Sequence, residues 1–200
     1  MVLAGQFLER PALIPCGELT LEGLYHRGRR APALLLCPPV DESGMDAPPL
    51  AELAWASARA GHASLRFQHR GRGASGGEPD PAQALADAEA ALEHLAGTAP
   101  GPLAVCGLWS GCETALALLR GHPELRGAAL LAPSALPAGE PVAARVLALL
   151  PEAGAALDEA AVLATLPGAE VERLAGADAR FQAGLSQAAR RAVAFLAAGG

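Results

Sequence analysis

Ser110 and Cys112, side chains of nucleophilic type, sit next to and three places after the central residue of a tight-turn signature, Val105-Cys-Gly-Leu-Trp-Ser-Gly-Cys-Glu-Thr-Ala115. An apolar run enters this segment and residues with helical spacing leave it, so it reads as a strand-turn-helix junction. Small residues two places before and two places after a central residue allow a strained turn that lifts the central side chain above a sheet, as in a nucleophile elbow. Gly107 and Gly111 occupy those two places and put Trp109 at the apex. An indole cannot attack a carbonyl, so acyl-transfer chemistry here needs a displaced nucleophile, Cys112 or Ser110. His69 is one imidazole able to lower the pKa of the Cys112 thiol.

Each of these residues also has a plainer role. Trp109 is either a plug or stacking platform in a pocket, or a large core residue that closes a disused cleft. Ser110 opens a helix and suits an N-cap, and Cys112 suits a small packing position on the first turn. The backbone N–H groups of Ser110 and of a residue near Val40 form a candidate anion-binding pair, because helix N-termini present unsatisfied donors. Arg70 and Arg72 are candidate partners for a phosphate or carboxylate, or else ties between loops.

The elements that must hold these residues follow from hydrophobic period. Leu19 to Tyr25 alternates apolar and polar residues as a half-buried strand does, and Ala33 to Cys37 is a continuous apolar run ended by Pro38-Pro39, which reads as a central strand. Ala47 to Arg59 predicts a helix, His62 to Phe67 a strand, and Pro81 to Ala96 a helix with proline in its first turn. Leu103 to Cys106 predicts a strand, and Ser110 to Arg120 a helix that stops at Gly121-His122-Pro123. Arg126 to Leu131, Arg145 to Leu150 and Ala169 to Leu174 are further strands, with helices over Asp158 to Leu166 and Gln182 to Leu196. Strands alternating with helices imply one α/β domain over residues 1–200, a three-layer α/β/α sandwich around a mainly parallel sheet. Ligands of such sheets sit at the carboxyl ends of the strands.

Composition removes several classes of function. The 200 residues are 52% hydrophobic and 18% charged, enough for one sizeable core and too apolar for disorder. All 15 cationic side chains are Arg, so Schiff-base lysine chemistry is excluded. A net charge of −6 opposes nucleic-acid binding, despite the local runs Arg27, Arg29, Arg30 and His69, Arg70, Arg72. Cys16, Cys37, Cys106 and Cys112 lack the paired spacing of a zinc site or a disulfide framework, so no metal and no cofactor is expected, and buried reduced thiols are. No apolar stretch is long enough to span a membrane and the amino-terminal residues lack a signal-peptide pattern, so the expectation is a cytoplasmic chain without membrane contact.

The sequence resembles the α/β-hydrolase superfamily over most of its length. It is similar above all to small lidless bacterial members, including hydrolase-like proteins associated with exosortase systems. Ala33 to Pro39 looks like that family's strand and oxyanion loop, Leu65 to Gly77 like its "R-G-x-G-x-S-x-G" turn, and Gly107 to Gly111 like its elbow. Asp41-Glu42 follows on the loop that should overhang the cleft. The resemblance implies a nucleophile at Trp109, an acid at Gly154 within Val146 to Gly154, and a histidine at Ala179 within Gly176-Ala-Asp-Ala-Arg-Phe181. None of the three is filled, and the only histidine after the elbow is His122, in a turn at the other end of the sheet. Asp178 and Glu152, beside the vacated positions, are then solvated or loop-ordering carboxylates.

The expectation is a catalytically degenerate hydrolase-like protein that binds a small acyl or carboxylate ligand or a protein partner, with Val40, Leu108, Trp109, Ser110 and Arg70 at the site. An active ester or thioester hydrolase or acyltransferase using Cys112 or Ser110 is the alternative. Homo- or hetero-oligomerisation, for instance with an active paralogue, fits the same sequence.

Overall fold

A computed structural model describes residues 9–40, 43–99 and 101–198; Asp41 and Glu42 lie outside the described residues. The described strands are β1 (Arg10–Cys16), β2 (Leu19–His26), β3 (Arg30–Cys37), β4 (His62–Phe67), β5 (Leu103–Leu108), β6 (Gly127–Leu131), β7 (Arg145–Pro151) and β8 (Glu170–Leu174). They form one sheet in the order β1-β2-β4-β3-β5-β6-β7-β8. β1 and β2 pair antiparallel, as do β2 and β4, and the remaining pairs are parallel. The helices are α1 (Pro48–Ala60), α2 (Ala84–Thr98), α3 (Gly111–Gly121), α4 (Glu159–Thr165) and α5 (Leu185–Ala197).

The period of two in the central strands divides their side chains between the two faces of the sheet. Leu35 and Val105 join the core under α2 and α3, with Ala91, Leu95 and Leu116. Leu34, Leu36, Cys106 and Leu108 join the opposite core under α1 and α5, with Leu50, Leu53 and Ala192. Both faces are therefore covered, which is why β3 and β5 read as unbroken apolar runs. None of the described helices is long and apolar enough to cross a membrane.

The sequence reading misses β1, whose Pro11 and Pro15 argue against a strand. β1 lies at the sheet edge, where a missing N–H leaves no gap in a ladder. The helix foreseen from Pro81 divides into a 3-10 turn, Pro81–Gln83, and α2. Asp80 caps that turn by accepting the Ala82 N–H at 3.0 Å.

Candidate functional site

β5 leads directly into the apex residue. Trp109 has φ of +50°, in the left-handed region that costs an L-residue about 1–2 kcal/mol. Its backbone N–H donates to the Leu131 carbonyl at 3.0 Å, which pins the turn to the end of β6. Both flanking glycines are required by close approach. A Cβ on Gly107 would lie 2.5 Å from the Cys112 Cα, and one on Gly111 would lie 2.4 Å from the Cys37 carbonyl oxygen. The elbow geometry inferred from spacing is thus present, with an indole at its apex.

The two later positions named by the resemblance come to the same place. The Trp109 indole Nε1–H donates to the Ala179 carbonyl at 3.0 Å. A Cβ on Gly154 would lie 3.1 Å from the Ala179 Cβ. Three segments from distant parts of the chain therefore meet around one cavity of about 260 Å³, lined by Ser43, Ser134, Ala156 and Arg180 together with Trp109 and the two vacated positions. Ala132 completes the wall, at φ of +45° just beyond β6. Arg180 carries the one charge among the described lining residues. The described lining combines an aromatic side chain, the Ser134 hydroxyl and one guanidinium, a set suited to a small ligand with an apolar body and a carboxylate.

Several sequence-derived site residues lie elsewhere. Leu108 is fully buried under α1 and α5, because the strand alternation that exposes the apex turns its predecessor into the core. Ser110 stands at the N-cap position, but its helical φ of −65° keeps the hydroxyl off the first-turn N–H groups, so it caps nothing. Its Oγ instead accepts the Val40 N–H at 3.1 Å. The Val40 carbonyl accepts from Arg72 Nη2 at 3.4 Å. The Val40 N–H is thus engaged within the protein, and neither Val40 nor Ser110 lines the cavity beside Trp109.

Cys112 is wholly enclosed, and its Sγ donates toward the Leu131 carbonyl at 3.5 Å. Burial pushes its thiol well above the ordinary range, so it is a protonated packing residue and a poor nucleophile. Cys106 is likewise pushed up to about 12 by burial. Cys37 is also buried, whereas Cys16 is only partly so, and none of the four is in a disulfide. His69, the base considered for Cys112, places Nδ1 3.3 Å from Asp87 Oδ2.

Arg70 is held by the same fully buried Asp87, through Nε at 2.8 Å and its backbone N–H at 3.0 Å. Burial raises the Asp87 pKa, but the hydrogen bonds from His69 and Arg70 outweigh it and hold the carboxyl below its usual range. Arg70 therefore ties the turn after β4 to α2 and does not reach the cavity at Trp109. Asp178 accepts the backbone N–H groups of Arg180, Gln182 and Ala183, and Glu152 accepts that of Gly176 at 2.6 Å, so both order loops as expected. No group of three or more His, Cys, Asp or Glu side chains among the described residues is placed to hold a metal ion.

The sequence reading did not single out Ser43, Ala132, Ser134, Ala156 or Arg180. The available signal was topological: Ala132 and Ser134 follow the carboxyl end of β6, next to the elbow strand, where ligands of parallel sheets bind.

No protein-family model matches the chain, and no curated protein matches it by sequence. Solved structures do. A serine hydrolase homologue from Coxiella burnetii aligns with a TM-score of 0.82 at 19% identity, over 98% of this chain and 99% of that one. A protein of unknown function from Agrobacterium tumefaciens aligns at 0.78 and 23% identity, over 94% of each chain. An esterase from Pyrococcus furiosus aligns at 0.79 and 15% identity, over 95% and 92%. At these identities the likeness is one of architecture, and it extends over nearly the whole length of both partners: the chain has the α/β-hydrolase fold.

Proposed function

We propose that this protein is a catalytically inactive member of the hydrolase-fold group that binds a small acyl or carboxylate ligand in the cavity beside Trp109. The observation that carries this reading is the indole itself. It occupies the elbow apex and spends its one donor on the Ala179 carbonyl, while Gly154 faces the same residue. A covalent acyl route needs a nucleophile, a base and an orienting acid at those places, and loss of the triad leaves at best the stabilisation that binding and oxyanion donors provide. Hydrolysis by that route is then at least about a thousandfold weaker than in an intact triad.

The displaced-nucleophile alternative gains nothing from the geometry. Cys112 is enclosed and protonated, and the Ser110 hydroxyl accepts from the Val40 N–H. In the binding reading, Trp109 offers a stacking face, Arg180 a counter-ion for a carboxylate, and Ser134 a hydroxyl for orientation.

Trp55 is exposed and sits beneath Arg59, so a Trp55→Phe background leaves Trp109 as the sole fluorophore of its kind. Titration with phenylacetate should change that emission saturably, phenylacetamide should do so far more weakly, and Arg180→Ala should remove the difference. No saturable response to either compound would overturn the ligand assignment.

A further inference from the structure

A second cavity lies at the other end of the sheet and shares no residue with the first. Gly101–Leu103 precede and begin β5, and His122–Leu125 precede β6, so this groove opens at the amino ends of the strands that carry Trp109 at their carboxyl end. Its volume is about 920 Å³, at the upper end of the range of small-molecule sites. The outer face of α2 forms the long wall, with Ala86, Ala90 and Ala96 contributing only methyl groups. Leu103 and Leu125 supply further apolar surface, and Pro15–Gly17 closes one side. Small side chains at helical spacing leave a trough where larger ones would fill it.

Charge on this trough has one dominant sign. Glu89, Glu93 and Glu124 line it, and no arginine does. His122 stands between two of the carboxylates, with Nε2 2.6 Å from Glu89 and Nδ1 3.0 Å from Glu124. Protonating His122 removes one unit of negative charge from three, and leaving it neutral removes none, so the lining stays anionic in either state. An amphiphile with a carboxylate head meets repulsion there, whereas a cationic head on an apolar body meets complementary charge and an apolar bed. The geometry points to a second binding site in this groove, for a singly charged amphipathic amine whose apolar body lies against α2 and whose ammonium group pairs with the Glu89, Glu93 and Glu124 carboxylates. This site is independent of the ligand assigned to the Trp109 cavity, and it takes the opposite charge.

The test uses the full chain carrying Arg180→Ala, which removes the carboxylate's counter-ion in the Trp109 cavity, and three probes of one length: octylammonium, octanoate and octanol, titrated by calorimetry at low salt and at 0.3 M salt. Octylammonium should bind at least tenfold more tightly than octanoate, with the preference shrinking in high salt. Glu93→Gln, at an exposed helix position, should reduce that preference several-fold, and Ala96→Trp, also exposed, should fill the trough and abolish binding of all three. Circular dichroism melting of both variants checks that α2 is intact, and Trp109→Phe should leave octylammonium binding unchanged. Equal or tighter binding of octanoate, or amine binding that survives Ala96→Trp, would overturn the proposal. So would light scattering that shows a dimer together with absence of amine binding, because the groove would then be covered by a second copy.

Discussion

Replacing Trp109 in three steps separates the contributions that hold the apex. Trp109→Phe keeps most of the ring and deletes the Nε1–H donor to Ala179, a neutral, partly buried hydrogen bond worth about 1 kcal/mol. Trp109→Ala also removes the ring. The residue is half-buried and packs against the core under α1 and α5, so roughly half of a core aromatic truncation, about 2 kcal/mol, adds to the lost bond for a total of about 3 kcal/mol. Trp109→Gly loses the same contacts but relieves the left-handed strain at φ of +50°, about 1–2 kcal/mol, against about 0.4–1 kcal/mol from a looser unfolded chain. Glycine should therefore be more stable than alanine by up to about 1.6 kcal/mol, the reverse of the order at an ordinary position. For a chain of this size, the alanine variant should melt roughly 6–12 °C below the wild type. Urea unfolding followed by far-ultraviolet circular dichroism gives the three values. An alanine variant more stable than the glycine variant would refute the strained apex, and a phenylalanine variant equal to wild type would refute the contribution of the indole hydrogen bond.

Three further outcomes follow from the same geometry. Gly111→Ala should cost about 3 kcal/mol or more, because its Cβ would stand 2.4 Å from the backbone oxygen of Cys37; purification of a normally stable variant would contradict that packing. The Asp87 carboxyl has a folded pKa below its unfolded value, so its stabilisation is present above about pH 4 and is lost as pH falls through the folded pKa. Asp87→Asn should lower stability at pH 7 by about 3–5 kcal/mol and flatten the decline below pH 4; an unchanged acid limb would contradict the buried pair with Arg70 and His69. A thiol reagent should reach the partly exposed Cys16 first, slowly because burial and Asp87 push its thiol up, and Cys37, Cys106 and Cys112 only on unfolding; rapid labelling of Cys112 in the native state would reopen it as a nucleophile.

Much of the scaffold was legible because buried parallel strands leave a plain trace in sequence. Ala33 to Cys37 and Leu103 to Cys106 are apolar on both faces, and both lie at the centre of the sheet. The elbow was legible for a different reason: Gly107 and Gly111 are fixed by backbone contacts under 3 Å, which tolerate no other residue. β1 escaped because prolines carry no periodic signal and only an edge position admits them. The cavity wall was the least legible part. Ala132, Ala156 and Arg180 become neighbours only through the order of β6, β7 and β8, which no local pattern encodes. Ser110 illustrates the same limit at one residue, since a serine at a helix start predicts a cap and tertiary structure gave its hydroxyl to Val40.

The most direct measurement is intact-mass analysis of the purified protein after exposure to a fluorophosphonate, read beside turnover of a p-nitrophenyl ester. With an indole at the apex and neither an imidazole nor a carboxylate among the described residues that line its cavity, the mass should remain unchanged and ester release should stay at the buffer rate. A stoichiometric adduct mapped to Ser110, Ser134 or another serine, with turnover that disappears when that residue becomes alanine, would contradict the account.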